Sequence, residues 1–89
     1  MKLNIKIEEV GDINSDYPYL EVFYKGCSTP FLEVSINNRE LTYKIYITDK
    51  DILLNNEEWE YIYKVSNEFL PRALKNEDDF LNGNFYWWF

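Results

Sequence analysis

The chain has no histidine, one cysteine and three glycines, and each shortage closes off a class of chemistry. Without histidine there is no Ser-His-Asp triad, no Cys-His pair and no imidazole ligand for a metal. A lone cysteine, Cys27, excludes an intramolecular disulfide and a cysteine zinc cluster. Among Gly26, Ser28 and Thr29 it reads as a small, half-buried turn residue rather than a nucleophile. Gly11, Gly26 and Gly83 are too scattered to form a phosphate-cradling loop. No stretch nears the ~18 apolar residues that a membrane span requires. Met1-Lys2-Leu3-Asn4 runs straight into a strand pattern rather than a signal peptide, so a cytoplasmic location is expected.

Positive charge is also scarce. Nine basic residues stand against 16 acidic ones, a formal net charge of −7. Such a balance repels phosphate backbones, so a direct nucleic-acid partner is not expected. It suits a cationic protein partner and equally serves solubility. Acidic pairs occur at Glu8-Glu9, Glu57-Glu58 and Asp78-Asp79. Glycosidase-type catalysis needs two carboxyls facing each other across a cleft at about 5–10 Å, and adjacent residues on a strand or helix diverge. Asn76–Asp79 resembles a fragment of a calcium loop but lacks the glycine and the closing glutamate. The expectation is no enzyme, no cofactor and no metal.

What the chain has in abundance is rings: three Trp, eight Tyr and six Phe in 89 residues. Each can bury about 150–250 Å², enough to support one modest core in one domain spanning 1–89. Leu3, Ile5 and Ile7 alternate with Lys2, Asn4, Lys6 and Glu8 as a first strand. Gly11–Pro18 is a loop, and Tyr19–Lys25 a second strand with Leu20, Val22 and Tyr24 on one face. Phe31–Asn37 and Glu40–Thr48 both alternate around a two-residue loop, Asn38-Arg39. A hairpin closed there pairs Ile36 with Leu41, Val34 with Tyr43 and Leu32 with Ile45 on one face. On the other it pairs Glu33 with Lys44, Ser35 with Thr42 and Asn37 with Glu40. Both faces are chemically consistent, and a slip of one residue would spoil both.

Asn55 and Glu58 form a capping box, with Leu54 and Trp59 as its hydrophobic staple. Trp59, Ile62, Tyr63, Ser66, Phe69 and Leu70 then share one helical face. Pro71 is expected to end or kink this helix and to start a short second one. The expected fold is α+β: a four-stranded antiparallel meander, with a possible fifth C-terminal strand, packed against one main helix and a short second helix.

The face of the sheet away from the helix should carry Tyr19, Phe23, Phe31 and Tyr46 among Glu21, Lys25, Glu33 and Lys44. Large rings on such a face call for a cover. The aromatic run Phe85-Tyr86-Trp87-Trp88-Phe89 is the candidate, either within this chain or as a contact with another molecule. Glu77, Asp78 and Asp79 lead into that run, and acids beside rings suit a basic, partly apolar partner surface. Glu77, Asp78, Asp79, Phe85, Tyr86, Trp87 and Trp88 are therefore the candidate partner-binding residues.

The hairpin FLEVSINNRELTYKIYI, the helix EEWEYIYKVSNEFL, the acidic charge and the missing catalytic residues together resemble the small acidic immunity proteins of bacterial polymorphic-toxin and contact-dependent inhibition systems. The resemblance is one of layout over most of the chain and carries over no contact residue. It implies a cytoplasmic inhibitor of a cognate toxin, often a basic nuclease. Two other readings stand beside it: a homo-oligomer, such as a homodimer, joined through its aromatic tail, and an acidic DNA mimic. The basic residues scattered through the strands count against the mimic.

Overall fold

The computed structural model describes residues 3–11 and 16–81, with side chains up to residue 78. Four strands, β1 (Ile5–Val10), β2 (Tyr19–Tyr24), β3 (Leu32–Asn37) and β4 (Glu40–Ile45), are followed by one helix, α1 (Asn56–Leu81). The strands pair antiparallel in chain order, β1-β2-β3-β4, so among the described residues β1 and β4 are the edges. The fold is α+β, as the patterning implies. The postulated fifth strand falls on residues 82–89, outside the described residues.

The β3–β4 hairpin has the register that its side chains dictate. Leu32 faces Ile45, Glu33 Lys44, Val34 Tyr43, Ser35 Thr42, Ile36 Leu41 and Asn37 Glu40. Both loop residues are left-handed, Asn38 at φ 54° and Arg39 at φ 64°. That is the type I′ geometry whose twist matches the flanking strands. Glycine usually takes the second position, and the reason arginine takes it here appears below.

One face of the sheet packs under α1. Val22, Leu32, Val34, Ile62 and Phe69 are shut almost entirely from solvent, with Ile5, Leu20, Phe31 and Ala73 around them. Each such side chain contributes about 1.5–3 kcal/mol through burial. Phe31, expected on the opposite face, joins this core at the sheet's end, its ring 5.7 Å from that of Tyr24. As the residue just before β3 it is not bound by the strand's alternation.

The helix begins at the capping box. The Glu58 amide donates to Asn55 Oδ1 at 2.8 Å, and Glu58 Oε1 accepts from the Asn55 amide at 3.0 Å. Glu58 is nevertheless buried, because its Oε2 accepts from the Asn4 amide at 2.8 Å and ties the start of β1 to the helix N-terminus. The positive end of the helix favours the carboxylate there.

Three expectations are corrected. The buried stripe is Glu58, Ile62, Ser66, Phe69 and Ala73, whereas Trp59 and Tyr63 are exposed. Two polar residues hold inward positions, which rotates the helix relative to its most hydrophobic face. Pro71 neither stops the helix nor opens a second one: α1 runs 26 residues through it. Proline leaves the Asn67 carbonyl without its amide partner, but Asn67 and Pro71 lie on the exposed side, where water can serve that oxygen. Phe69 and Ala73, buried on either side, hold the stripe continuous. Finally, Cys27 is exposed rather than half-buried. It follows a turn in which Gly26 adopts φ 84°.

Candidate functional site

The sheet face turned away from α1 is where the chain concentrates unusual chemistry. The register sets Glu8 opposite Glu21, Glu21 opposite Glu33, and Glu33 opposite Lys44. Neighbouring strands lie about 4.7–4.9 Å apart, so three carboxylates stand side by side within ~10 Å. Like charges directly opposite on a sheet destabilise it. The flanks of the row are relieved: Lys6 Nζ lies 3.1 Å from Glu8 Oε2, and the Tyr46 hydroxyl donates to Glu33 Oε1 at 2.9 Å. Among the described residues no cation bridges the central Glu21, which is half-buried. The bond to Glu33, and then burial, raise the Tyr46 phenol above its ordinary pKa.

Rings border the acids. Phe23 is only 7% exposed although it points away from the helix, and Lys6 Nζ stands 5.0 Å from its ring centre. Lys44 Nζ stands 5.1 Å from that of Tyr46. Ammonium groups over ring faces are favourable contacts, and they show that these rings accept cations.

Each end of the sheet carries a concavity. At the hairpin end one of about 720 Å³ is lined by Tyr17, Tyr19, Glu33, Ser35 and Arg39. At the other end one of about 850 Å³ lies between Cys27–Phe31 and the segment after β4, with Phe31, Tyr46, Ile47 and Asp49 on its walls. No group of three His, Cys, Asp or Glu side chains among the described residues converges as a metal site would.

Of the acidic run expected to meet a partner, Glu77 and Asp78 are bonded within the molecule. The Tyr17 hydroxyl donates to Glu77 Oε1 at 2.7 Å, and Arg39 Nη1 donates to the same oxygen at 3.2 Å. Arg39 also forks onto Asp78, with both contacts at 3.1 Å. The bond to Glu77 raises the Tyr17 phenol, and Asp78 raises the Arg39 guanidinium. This clamp explains the arginine in the left-handed turn position: its side chain fastens the hairpin to the last turns of α1. The Asp79 side chain and Phe85, Tyr86, Trp87 and Trp88 lie outside the described residues.

The Glu8–Glu21–Glu33 row escaped the sequence reading, although the alternation of each strand was plain. Only the β3–β4 register is set by a two-residue turn. The β1–β2 and β2–β3 connections are longer, so which glutamate faces which could not be read from them.

No helix among the described residues is long and apolar enough to cross a membrane. Compared with known proteins, the chain matches no family model, no curated protein and no solved structure.

Proposed function

We propose that this chain is a non-enzymatic binding module, an inhibitor of the immunity type, whose open sheet face receives the basic surface of a toxin or nuclease. The observation that carries the reading is the cross-strand row Glu8–Glu21–Glu33, three like charges set against one another on a ring-bordered face. Such a row weakens the free chain and gains when lysine or arginine side chains of a partner enter among the carboxylates. The half-buried Tyr19 and Tyr46 offer the apolar contact that anchors a charged interface. The formal charge of −7 speeds encounter with a basic partner and makes it salt-sensitive.

The test compares the wild-type chain with a Glu8→Gln, Glu21→Gln, Glu33→Gln triple variant as bait in lysate of the native host. The expected result is one basic protein held at near one-to-one ratio, released by salt and lost from the variant. That protein's nuclease or other toxic activity is then measured with and without the chain. Equal capture by both baits, or an activity unchanged by saturating chain, would overturn the reading.

A further inference from the structure

The course of α1 decides where the chain after it can go. The Glu58–Asn4 bond places the helix start at the start of β1, and the Arg39 clamp on Glu77 and Asp78 places its last turns at the β3–β4 turn. A helix of 26 residues is about 39 Å long and outruns six-residue strands of about 20 Å. Residues 82–89 therefore set out one layer above the sheet, just beyond the turn at which β4 begins.

Two strand edges are unpaired among the described residues, and they differ. The β1 edge is guarded by the Lys6–Glu8 and Arg72–Glu9 ion pairs. The β4 edge has no proline and no bulge, and Tyr43 (41%) and Ile45 (73%) are exposed on its helix side. Its backbone is unspent as well. The Tyr46 amide donates inward to the Phe31 carbonyl at 3.0 Å. By the alternation of an antiparallel ladder, Glu40, Thr42 and Lys44 also bond to β3, while Leu41, Tyr43 and Ile45 aim their amides and carbonyls outward. An unguarded edge of this kind is a template for another strand.

We infer that the aromatic run Phe85–Phe89 of the same chain lies along this edge as a strand parallel to β4. The direction follows from the path: β4 runs away from the hairpin turn, α1 returns to it, and a strand leaving there runs with β4 again. The hand agrees. Leu41, Tyr43 and Ile45 share the helix side with Leu32 and Val34 and turn their amides away from β3. For L residues this puts β3 on the left of β4, seen from the helix side with β4 pointing up. The free edge is then on the right, which makes the crossover through α1 right-handed, as nearly all such connections are. The length also suffices. Residues 82–89 reach up to about 26–29 Å when extended, and packed layers stand about 10 Å apart, so four or five residues remain for the edge. Asn82-Gly83, directly after the last helical residue, is a sequence on which helices stop. Its tether favours this run over a free copy or a foreign strand, because a short linker holds it at an effective concentration of about millimolar.

Strand alternation sets Phe85, Trp87 and Phe89 on one face and Tyr86 and Trp88 on the other. The set with two phenylalanines belongs beside Tyr43 and Ile45 on the helix side. Tyr86 and Trp88, each with a polar group to hydrate, then stand beside Thr42, Lys44 and Tyr46 and widen the ring border of the acidic row. Only the use of those two rings by a partner rests on the binding reading above; the docking of the strand does not.

Amide hydrogen exchange tests the docking with no partner present. In the full chain, at a concentration where sedimentation equilibrium finds a single-chain mass, the Tyr43 and Ile45 amides are expected to be protected. Ending the chain after Gly83 speeds their exchange at least about tenfold, while amides of the central strands β2 and β3 stay slow. Should the shortened chain fail to fold, Tyr86→Pro in the full chain supplies the same comparison, since it removes an amide that this arrangement turns towards β4. Direction is read in a Cys27→Ser background, where a nitroxide attached through Phe89→Cys broadens the Ile45 amide more than that of Asn38. Fast exchange of Tyr43 and Ile45 in the full chain overturns the inference, as does protection indifferent to both changes. Broadening stronger at Asn38 than at Ile45 overturns it too, and so does protection that appears only when the mass doubles, because a second copy then covers the edge. Since these readouts involve no partner, a failure of the binding reading leaves them unchanged.

Discussion

On the helix side of the sheet, Val22, Leu32 and Val34 are shut from solvent under Ile62 and Phe69. On the other side, the same strands set Glu8, Glu21 and Glu33 abreast. Strand alternation makes these two faces from one stretch of chain, yet they follow opposite rules. The covered face obeys packing, and almost any change there lowers stability. The open face keeps an arrangement that stability alone would remove. A surface that retains internal repulsion is the natural place to look for a partner of opposite charge.

Substitutions can sharpen or break this contrast. The largest effect is expected on the covered side, where Phe69→Ala should lower unfolding free energy by about 3–5 kcal/mol. That is most of what a domain of this size possesses, so a urea titration should find the variant largely unfolded. A cooperative transition near the wild-type midpoint would mean that the helix does not organise the core. Glu58→Ala comes next, at about 1–3 kcal/mol, because it removes the acceptor of both the Asn55 and Asn4 amides. A loss under half a kcal/mol would show the buried carboxylate to be dispensable.

Ser66→Ala runs against the usual rule for buried sites. Among the described residues the buried Ser66 hydroxyl has no hydrogen-bond partner, and alanine is the better helix former, so a gain of about 1 kcal/mol is expected. Destabilisation would reveal a partner for that hydroxyl. On the open side Glu21→Gln should gain only a few tenths of a kcal/mol, and the gain should shrink as salt screens the row. A loss that persists at high salt would refute the repulsion. The smallest effect is on titration. Tyr17 and Tyr46 have folded pKa values raised above the ordinary tyrosine value of 10.0 by their carboxylate partners. Their contribution is full below that pKa and is lost as pH rises through the folded values. Phenolate absorbance should therefore show two late-titrating tyrosines, one disappearing in Tyr17→Phe and the other in Tyr46→Phe.

What could be read in advance follows the length of each connection. Asn38-Arg39 fixes the hairpin completely, and all six pairs follow from residue chemistry. The Asn55/Glu58 capping box is equally local and equally legible. The helix face was misjudged because Trp59 and Tyr63 look like core residues at helical spacing. Glu58 and Ser66 take the inward positions instead, for a reason that includes Asn4, far away in sequence. Pro71 was misjudged because its local cost is real, but burial of Phe69 and Ala73 overrides it. The acidic row needed the registers of β1 and β2, which no short turn declares. The bonds of Glu77 and Asp78 to Arg39 were not legible, because nothing near these acids in sequence announces that arginine.

The two ends of the capping-box glutamate also set a timetable. Glu58 reaches Asn55 across three residues and Asn4 across 54. Short loops close in about a microsecond or less, whereas distant contacts wait for the chain between them to be ordered. The hairpin and the helix start are therefore expected before the folding barrier, and the docking of β1 after it. In kinetic terms, Glu58→Gln should chiefly hasten unfolding, while changes at Asn38 should slow folding. The same side chain that starts the helix is then the one that latches the finished molecule, and the first strand is the part that comes away when it fails.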